Sequence, residues 1–214
     1  MAEIERPGAQ QWVPAGAGIA ELRVAASGCR GCELWEPATQ VVFSAGTASA
    51  RLVLVGEQPG DQEDRQGTPF VGPAGQLLAR AVDAAGIARS EVYVTNAVKH
   101  FRFTERGKRR LHEKPGIAHI DACRPWLHAE LDVVQPRVVV CLGATAGRSV
   151  LGREVKIGAE RGRILGGEGA AVLITAHPSS LLRMQEPADR DAAFDALVAD
   201  LRTAAAAAAQ GAAE

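Results

Sequence analysis

The sequence predicts an α/β fold, a three-layer αβα sandwich around a central, mainly parallel four-stranded sheet. Three observations carry that prediction. Short apolar runs of strand length alternate with segments of helical period. The runs are almost continuously apolar, as strands buried on both faces must be. Each run also ends in a polar cluster, as expected where the strands of an open sheet point their carboxyl ends at a ligand crevice.

Along the chain, residues 1–18 are rich in Gly, Ala and Pro and read as a flexible lead-in. Ile19–Ser27 has helical period, and a Cys29-x2-Cys32 pair follows it. Arg51–Gly56 is the first buried strand and runs into Gly56-Glu57-Gln58-Pro59-Gly60-Asp61. Pro73–Ala85 begins with the proline favoured in a first helical turn and ends at the capping Gly86. Val92–Val98 is the second strand, with Asn96 and then Lys99-His100 at its end. Helix Ile117–Val134 leads to strand Arg137–Gly143, which runs into Ala144-Thr145 and helix Ala144–Leu151. The last strand, Ala171–Ala176, ends in His177-Pro178-Ser179-Ser180, and helix Ala188–Ala204 closes the series. A single domain over 19–203 accounts for all of this, with a low-complexity, Ala-rich tail at 204–214.

The chain has 214 residues, with 24 Lys+Arg against 25 Asp+Glu and a net charge of −1. That balance disfavours a uniformly basic nucleic-acid coat protein and an acidic disordered tail. No apolar run approaches the roughly 20 residues of a membrane helix, and the polar start lacks a secretory signal. A cytoplasmic monomer is expected, with its four cysteines as thiols or metal ligands rather than disulfides.

The neutral total hides an uneven distribution. From Lys99 to Lys114 the chain carries seven Lys/Arg and two Glu, so this segment is +5 and the remainder −6. It reads as a basic loop, with Lys108, Arg109 and Arg110 available to a phosphate backbone and Phe101 and Phe103 to bases. Alone, such a run is as readily a solvated loop. Cys29, Cys32, Cys123 and Cys141 suffice for a four-thiolate site, holding zinc or an iron–sulfur cluster. A redox pair at Cys29/Cys32, with Cys141 a buried core thiol, is the alternative. At the strand ends, Glu57 is a candidate base, His177 a rigidly presented imidazole, Asn96 a paired donor and acceptor, and Phe70 a stacking ring. Asp61, Glu63 and Asp64 read as a solvated turn rather than a metal site.

These segments bear a resemblance. GEQPGDQED (Gly56–Asp64), TPFVGPAGQLL (Thr68–Leu78), VTNAVKHF (Val94–Phe101), CRPWL (Cys123–Leu127) and AHPSSLLR (Ala176–Arg183) resemble the uracil-DNA glycosylase superfamily, chiefly its family-four-like branch. The likeness spans about Cys29 to Leu201 and implies a [4Fe–4S] cluster on Cys29, Cys32, Cys123 and Cys141, with structural zinc as the alternative. Gln58 after Glu57 and the insertion Lys108–His112 look like the subgroup called UdgX, whose members bind uracil-containing DNA tightly and become covalently joined to it. That subgroup's loop usually reads KRRIH, and here Leu111 replaces its isoleucine.

The resemblance implies roles. Phe70 stacks on a flipped uracil, in a pocket that includes Gly56 and Asp61. Asn96 accepts from uracil N3–H and donates to O4, and cytosine reverses both partners. His177 stabilises the uracil anion at O2, and Ser179 and Ser180 contact DNA. His112 captures the sugar at C1′ in place of water, and Glu57, helped by Gln58, takes or shares the imidazole proton. The expected partner is uracil-containing DNA, single-stranded for preference because extruding a base is cheapest there. The expected reaction is single-turnover uracil excision. A conventional multi-turnover glycosylase and a non-catalytic uracil-sensing module for single-stranded DNA are the competing readings.

Overall fold

The computed structural model describes residues 6–166 and 169–210. In chain order its elements are α1 (Ile19–Ala26), β1 (Ser44–Ala45), β2 (Leu52–Gly56), α2 (Asp61–Gln66), α3 (Pro73–Ala84), β3 (Val92–Asn96), β4 (Phe103–Arg106) and β5 (Arg109–His112). There follow α4 (Ile117–Val134), β6 (Val138–Leu142), α5 (Ala144–Leu151), α6 (Ile157–Glu160), β7 (Ile164–Leu165), β8 (Ala171–Thr175), α7 (Pro178–Leu182) and α8 (Pro187–Gln210). The main sheet has the order β1-β3-β2-β6-β8-β7. Its four central strands are the predicted ones, all mutually parallel.

The sheet therefore has six strands rather than four. The additional pair, β1 and β7, run antiparallel along the two edges and are two residues each. Elements that short have no periodicity to betray them, and short edge strands offer little template for pairing with another chain.

Alternation along each strand feeds two apolar layers. Leu52, Leu54, Val138, Val140 and Leu173 pack with Leu77 and Leu78 of α3 and Leu197 and Leu201 of α8. Val53, Val55, Val139, Cys141 and Ile174 face Leu127 of α4 and Ala146 of α5. A third cluster joins α1 to α4 around Trp126, whose ring meets Phe43 edge-on at 5.8 Å.

Several expectations need correction. Within the supposed lead-in, the backbone N–H groups of Gly8 and Ala9 donate to Gly31 and Ala122 carbonyls, so this stretch is bound to the CxxC loop. At the other end α8 continues to Gln210 with Ala204 and Ala208 in the core, because alanine is the best helix former and here also packs. The basic run is a β-hairpin, β4 against β5, turned at Gly107 with φ +61°.

The acidic group is no solvated turn either. Glu63 accepts from the N–H groups of Gly60 and Gly72, tying α2 to the start of α3. Asp64 is fully buried and accepts from Thr39 N–H and from Arg110. Lys99, nominally part of the basic run, is also interior. Its ammonium meets Glu130 and Thr95 behind β3, which satisfies a charge that burial would otherwise penalise.

Candidate active site

Strand β2 has β3 on one side and β6 on the other, so chain connections diverge there and leave a crevice at the carboxyl ends. The crevice is about 870 Å³ and is lined by Glu57, Gln58, Asp61, Phe70, Asn96, His112, Thr145, His177 and Ser179, among others. Residues from all four strand-end clusters thus meet there, although Lys99 and His100 of the second cluster do not.

Its floor is set by a glycine. A Cβ on Gly56 would lie 2.3 Å from Asn96 Oδ1 and 2.6 Å from Phe70 Cζ, so both side chains close over that Cα. Phe70 is held at φ +57°, a region that a bulky residue occupies only under constraint. The constraint is visible at Gly75, where a Cβ would fall 1.8 Å from the Phe70 carbonyl oxygen. Asn96 is 2% exposed, so its amide meets only what enters the crevice.

His177 precedes Pro178 at the start of α7. Its Nδ1 accepts from the Ser179 N–H, which leaves the ring's proton on Nε2. Burial pushes its pKa down to about 4, with nearby Glu57 offsetting only part of the effect. A neutral imidazole presenting one N–H is the result. Ser179 Oγ also meets Nδ1, while Ser180 Oγ donates to the His177 carbonyl. Both serines therefore hold His177 in place.

His112 ends β5 and reaches the crevice rim half-exposed. The Gln58 amide orientation is fixed by the backbone. Its Oε1 accepts from Arg102 N–H, and its Nε2 donates to the Arg102 and Glu113 carbonyls. The same Nε2 lies 2.9 Å from His112 Nε2; an amide nitrogen cannot accept, so this contact favours the tautomer with the ring proton on Nδ1, the amide's two hydrogens being shared among three acceptors. Glu57 Oε1 faces that nitrogen too, at 3.7 Å. Both expected helpers therefore address Nε2, and neither reaches the proton on Nδ1. Glu57 is fixed from behind by Thr145, whose hydroxyl donates to Oε2 at 2.5 Å.

The hairpin is anchored by residues expected to be free. Arg110 pairs with Asp61 at 2.5 Å and Asp64 at 2.6 Å, and its guanidinium covers the rings of Phe101 and Phe103. Arg110 is thus turned inward as a clamp rather than outward to phosphate, and Asp61 spends its carboxylate on Arg110 and Arg65. Phe101 is buried, stacks on Phe103 and touches the His112 ring at 5.9 Å between centroids, so it supports the histidine and cannot stack on a base. Lys108 and Arg109 remain exposed on the hairpin.

The cysteines do not assemble as expected. Cys29, Cys32 and Cys123 line one small pocket with His100. Cys141 belongs to the separate apolar layer between the sheet and α4 and α5. The reason is parity: Cys141 is the fourth residue of a fully buried strand, with Val139 and its other neighbours on the same face. His100 was overlooked although it lies in a flagged strand-end cluster, and its position beside Lys99 was the available signal.

Three N–H groups point at the pocket's sulfurs. Gly31 N–H and Trp126 Nε1–H donate to Cys29 Sγ, and Lys99 N–H donates to Cys123 Sγ. Such donors suit thiolates bound to a metal. Burial pushes the Cys32 thiol up to about 11 and the Cys123 thiol up to about 12, so both are protonated until a metal takes the proton's place. Among the described residues no three side chains of ligand type converge tightly enough for a single ion.

Comparison with known proteins agrees with this geometry. A Type-4 uracil-DNA glycosylase of Thermotoga maritima is 40% identical over 157 residues, covering 72% of this chain and 78% of that protein. A Type-4 enzyme of Pyrobaculum aerophilum is 33% identical over 163 residues, covering 72% and 80%. A Type-5 uracil-DNA glycosylase of the same organism is 30% identical over 169 residues, covering 70% of each chain. The family model of the Uracil DNA glycosylase superfamily matches residues 43–202, a span that holds the whole crevice from Gly56 to Ser180. Fold, crevice and sequence agree, and the chain belongs to the uracil-DNA glycosylase superfamily.

Proposed function

We propose that this protein excises uracil from DNA and, in the UdgX manner, remains covalently joined through His112 to C1′ of the abasic sugar. Its resemblance to Type-4 enzymes supports the excision step. The observation that carries the covalent step is the placement of His112 in the crevice, with its Nε2 2.9 Å from the Gln58 amide nitrogen.

The chemistry follows from the residues. Uracil enters extruded from the strand, which favours single-stranded DNA, and its ring lies against Phe70. Asn96 accepts from N3–H and donates to O4. Reading cytosine instead leaves buried groups unpaired, at about 1–3 kcal/mol each. As the C1′–N1 bond breaks, its electron pair passes to uracil, and the neutral His177 donates Nε2–H to O2 where charge accumulates. Glu57 lies beside the cationic sugar. The His112 Nε2 lone pair then forms the bond to C1′, and the Nδ1 proton is lost to solvent. The product is a neutral alkyl-imidazole, which leaves poorly. Lys108 and Arg109 supply the phosphate contacts.

We assign the cluster site to Cys29, Cys32 and Cys123, with His100 as the fourth ligand in place of Cys141. Three thiolates, two of them accepting N–H groups as cluster sulfurs commonly do, fit a [4Fe–4S] group. Bound there, the cluster would cross-link the CxxC loop and α4 through iron–thiolate bonds and the segment after β3 through the His100 imidazole.

A denaturing gel tests the central step. Mixed with a uracil-containing single strand, heated and run in SDS, the wild type gives a shifted protein–DNA band, and His112→Ala does not. The second reading, a multi-turnover glycosylase like the Type-4 relatives, predicts no heat-stable band and free abasic product beyond one equivalent. That outcome would remove the covalent proposal.

A further inference from the structure

Thr145 has no role in the mechanism above, yet it makes the shortest contact to Glu57. It is buried at the start of α5, separated in the chain by α4 and β6 from the hairpin that carries His112. Its hydroxyl donates to Glu57 Oε2 at 2.5 Å, leaving Oε1 to face His112 Nε2 at 3.7 Å. That separation is too long for a hydrogen bond but close enough for a carboxylate to favour positive charge on the ring and sugar. It also matters chemically. A carboxylate closing to hydrogen-bond distance would draw a proton onto Nε2, and the nitrogen that should attack would no longer have a free lone pair. Gln58 works to the same end from the other side: its amide nitrogen, 2.9 Å from Nε2, cannot accept a proton from it, so the proton stays on Nδ1 until C1′ displaces that contact.

We infer that Thr145 is a positioning residue, whose hydroxyl holds the Glu57 carboxylate back from His112 and thereby keeps the attacking tautomer of the histidine populated. Without the tether, Glu57 swings onto Nε2–H, the ring proton moves from Nδ1 to Nε2, and water takes the sugar cation more often. The inference rests on the covalent reading, and the experiment separates the two.

The measurement is the partition between adduct and released abasic DNA in a single turnover, with a 15N spectrum of the His112 ring. Thr145→Val removes the donor at nearly constant volume, and Thr145→Ser retains it. In Thr145→Val the ratio of adduct to free product falls about tenfold or more, the scale of losing one hydrogen bond to a charged group. The ring nitrogen signals shift towards the Nε2–H tautomer. Thr145→Ser keeps both the wild-type ratio and the wild-type spectrum. A wild type without adduct sinks the covalent reading. A wild type with adduct and an unchanged ratio in Thr145→Val overturns the role of Thr145 alone. Should the valine variant fail to fold, Thr145→Ala against Thr145→Ser makes the same comparison.

Discussion

At the residue scale, the crevice depends on where protons are held. His177 stays neutral because its ring is buried and a backbone donor occupies Nδ1. Its folded value, about 4, lies below the ordinary 6.5. The unfolded chain therefore binds a proton first as pH falls, so folding stability is full above about 6.5 and is lost progressively towards 4. Urea unfolding at pH 6.5 and pH 5.0 should show wild type losing about 2 kcal/mol more than His177→Gln over that interval. Equal losses in the two proteins would show that His177 is not held neutral.

Single residues were also where sequence reading was most uneven. Asn96, Phe70, His112 and His177 were legible because each follows a strand or sits in a distinctive motif. The inward turn of Arg110 was not, since a run of cations looks the same whether it faces phosphate or carboxylate. Neither was the support that Thr145 gives Glu57, a contact between positions 88 apart in sequence.

At the element scale, the hairpin is a two-stranded ribbon, a structure marginal in water by itself. Its hold on the domain comes from Arg110 on Asp61 and Asp64, from the buried Phe101, and from Gln58 on the Arg102 and Glu113 carbonyls. Arg110→Leu leaves Asp64 buried without its cation, and breaking a buried pair from one side costs about 3–5 kcal/mol. The expected outcome is faster amide hydrogen exchange across 103–112 and a weaker adduct band, with uracil release retained. Hydrogen exchange like that of wild type would mean the ribbon is held by something else. The central strands were legible as runs of three or more apolar residues. The edge strands β1 and β7 and the hairpin were not, because pairing partners rather than local pattern create them.

For the whole molecule, the neutral charge total resolves into opposites that largely meet inside. Lys99 is spent on Glu130, Arg110 on Asp61 and Asp64, and Arg102 on Glu113, so the exposed positive surface of the hairpin narrows to Arg106, Lys108 and Arg109. On the proposed assignment the cluster would cross-link parts that the third apolar layer already packs together, including residues 8 and 9, the CxxC loop, the end of β3 and α4. Cys141→Val should therefore keep the iron content and visible absorbance of wild type, since it alters only the sheet's apolar layer. His100→Ala should lose both and lower the melting temperature. The reverse pattern would restore Cys141 as the ligand. Here the sequence was legible as to the number of thiols but misleading as to which ones converge, because their spacing carries no information about which face of a strand each occupies.

The hairpin also makes the protein divisible. On the proposed mechanism, base recognition would come from loops at the ends of four parallel strands, and capture from one contiguous ribbon between β3 and α4. Catalyst and trap would then lie on separate connections: shortening the ribbon is expected to give a reusable cutter, and restoring it a stoichiometric marker that stays wherever uracil stood.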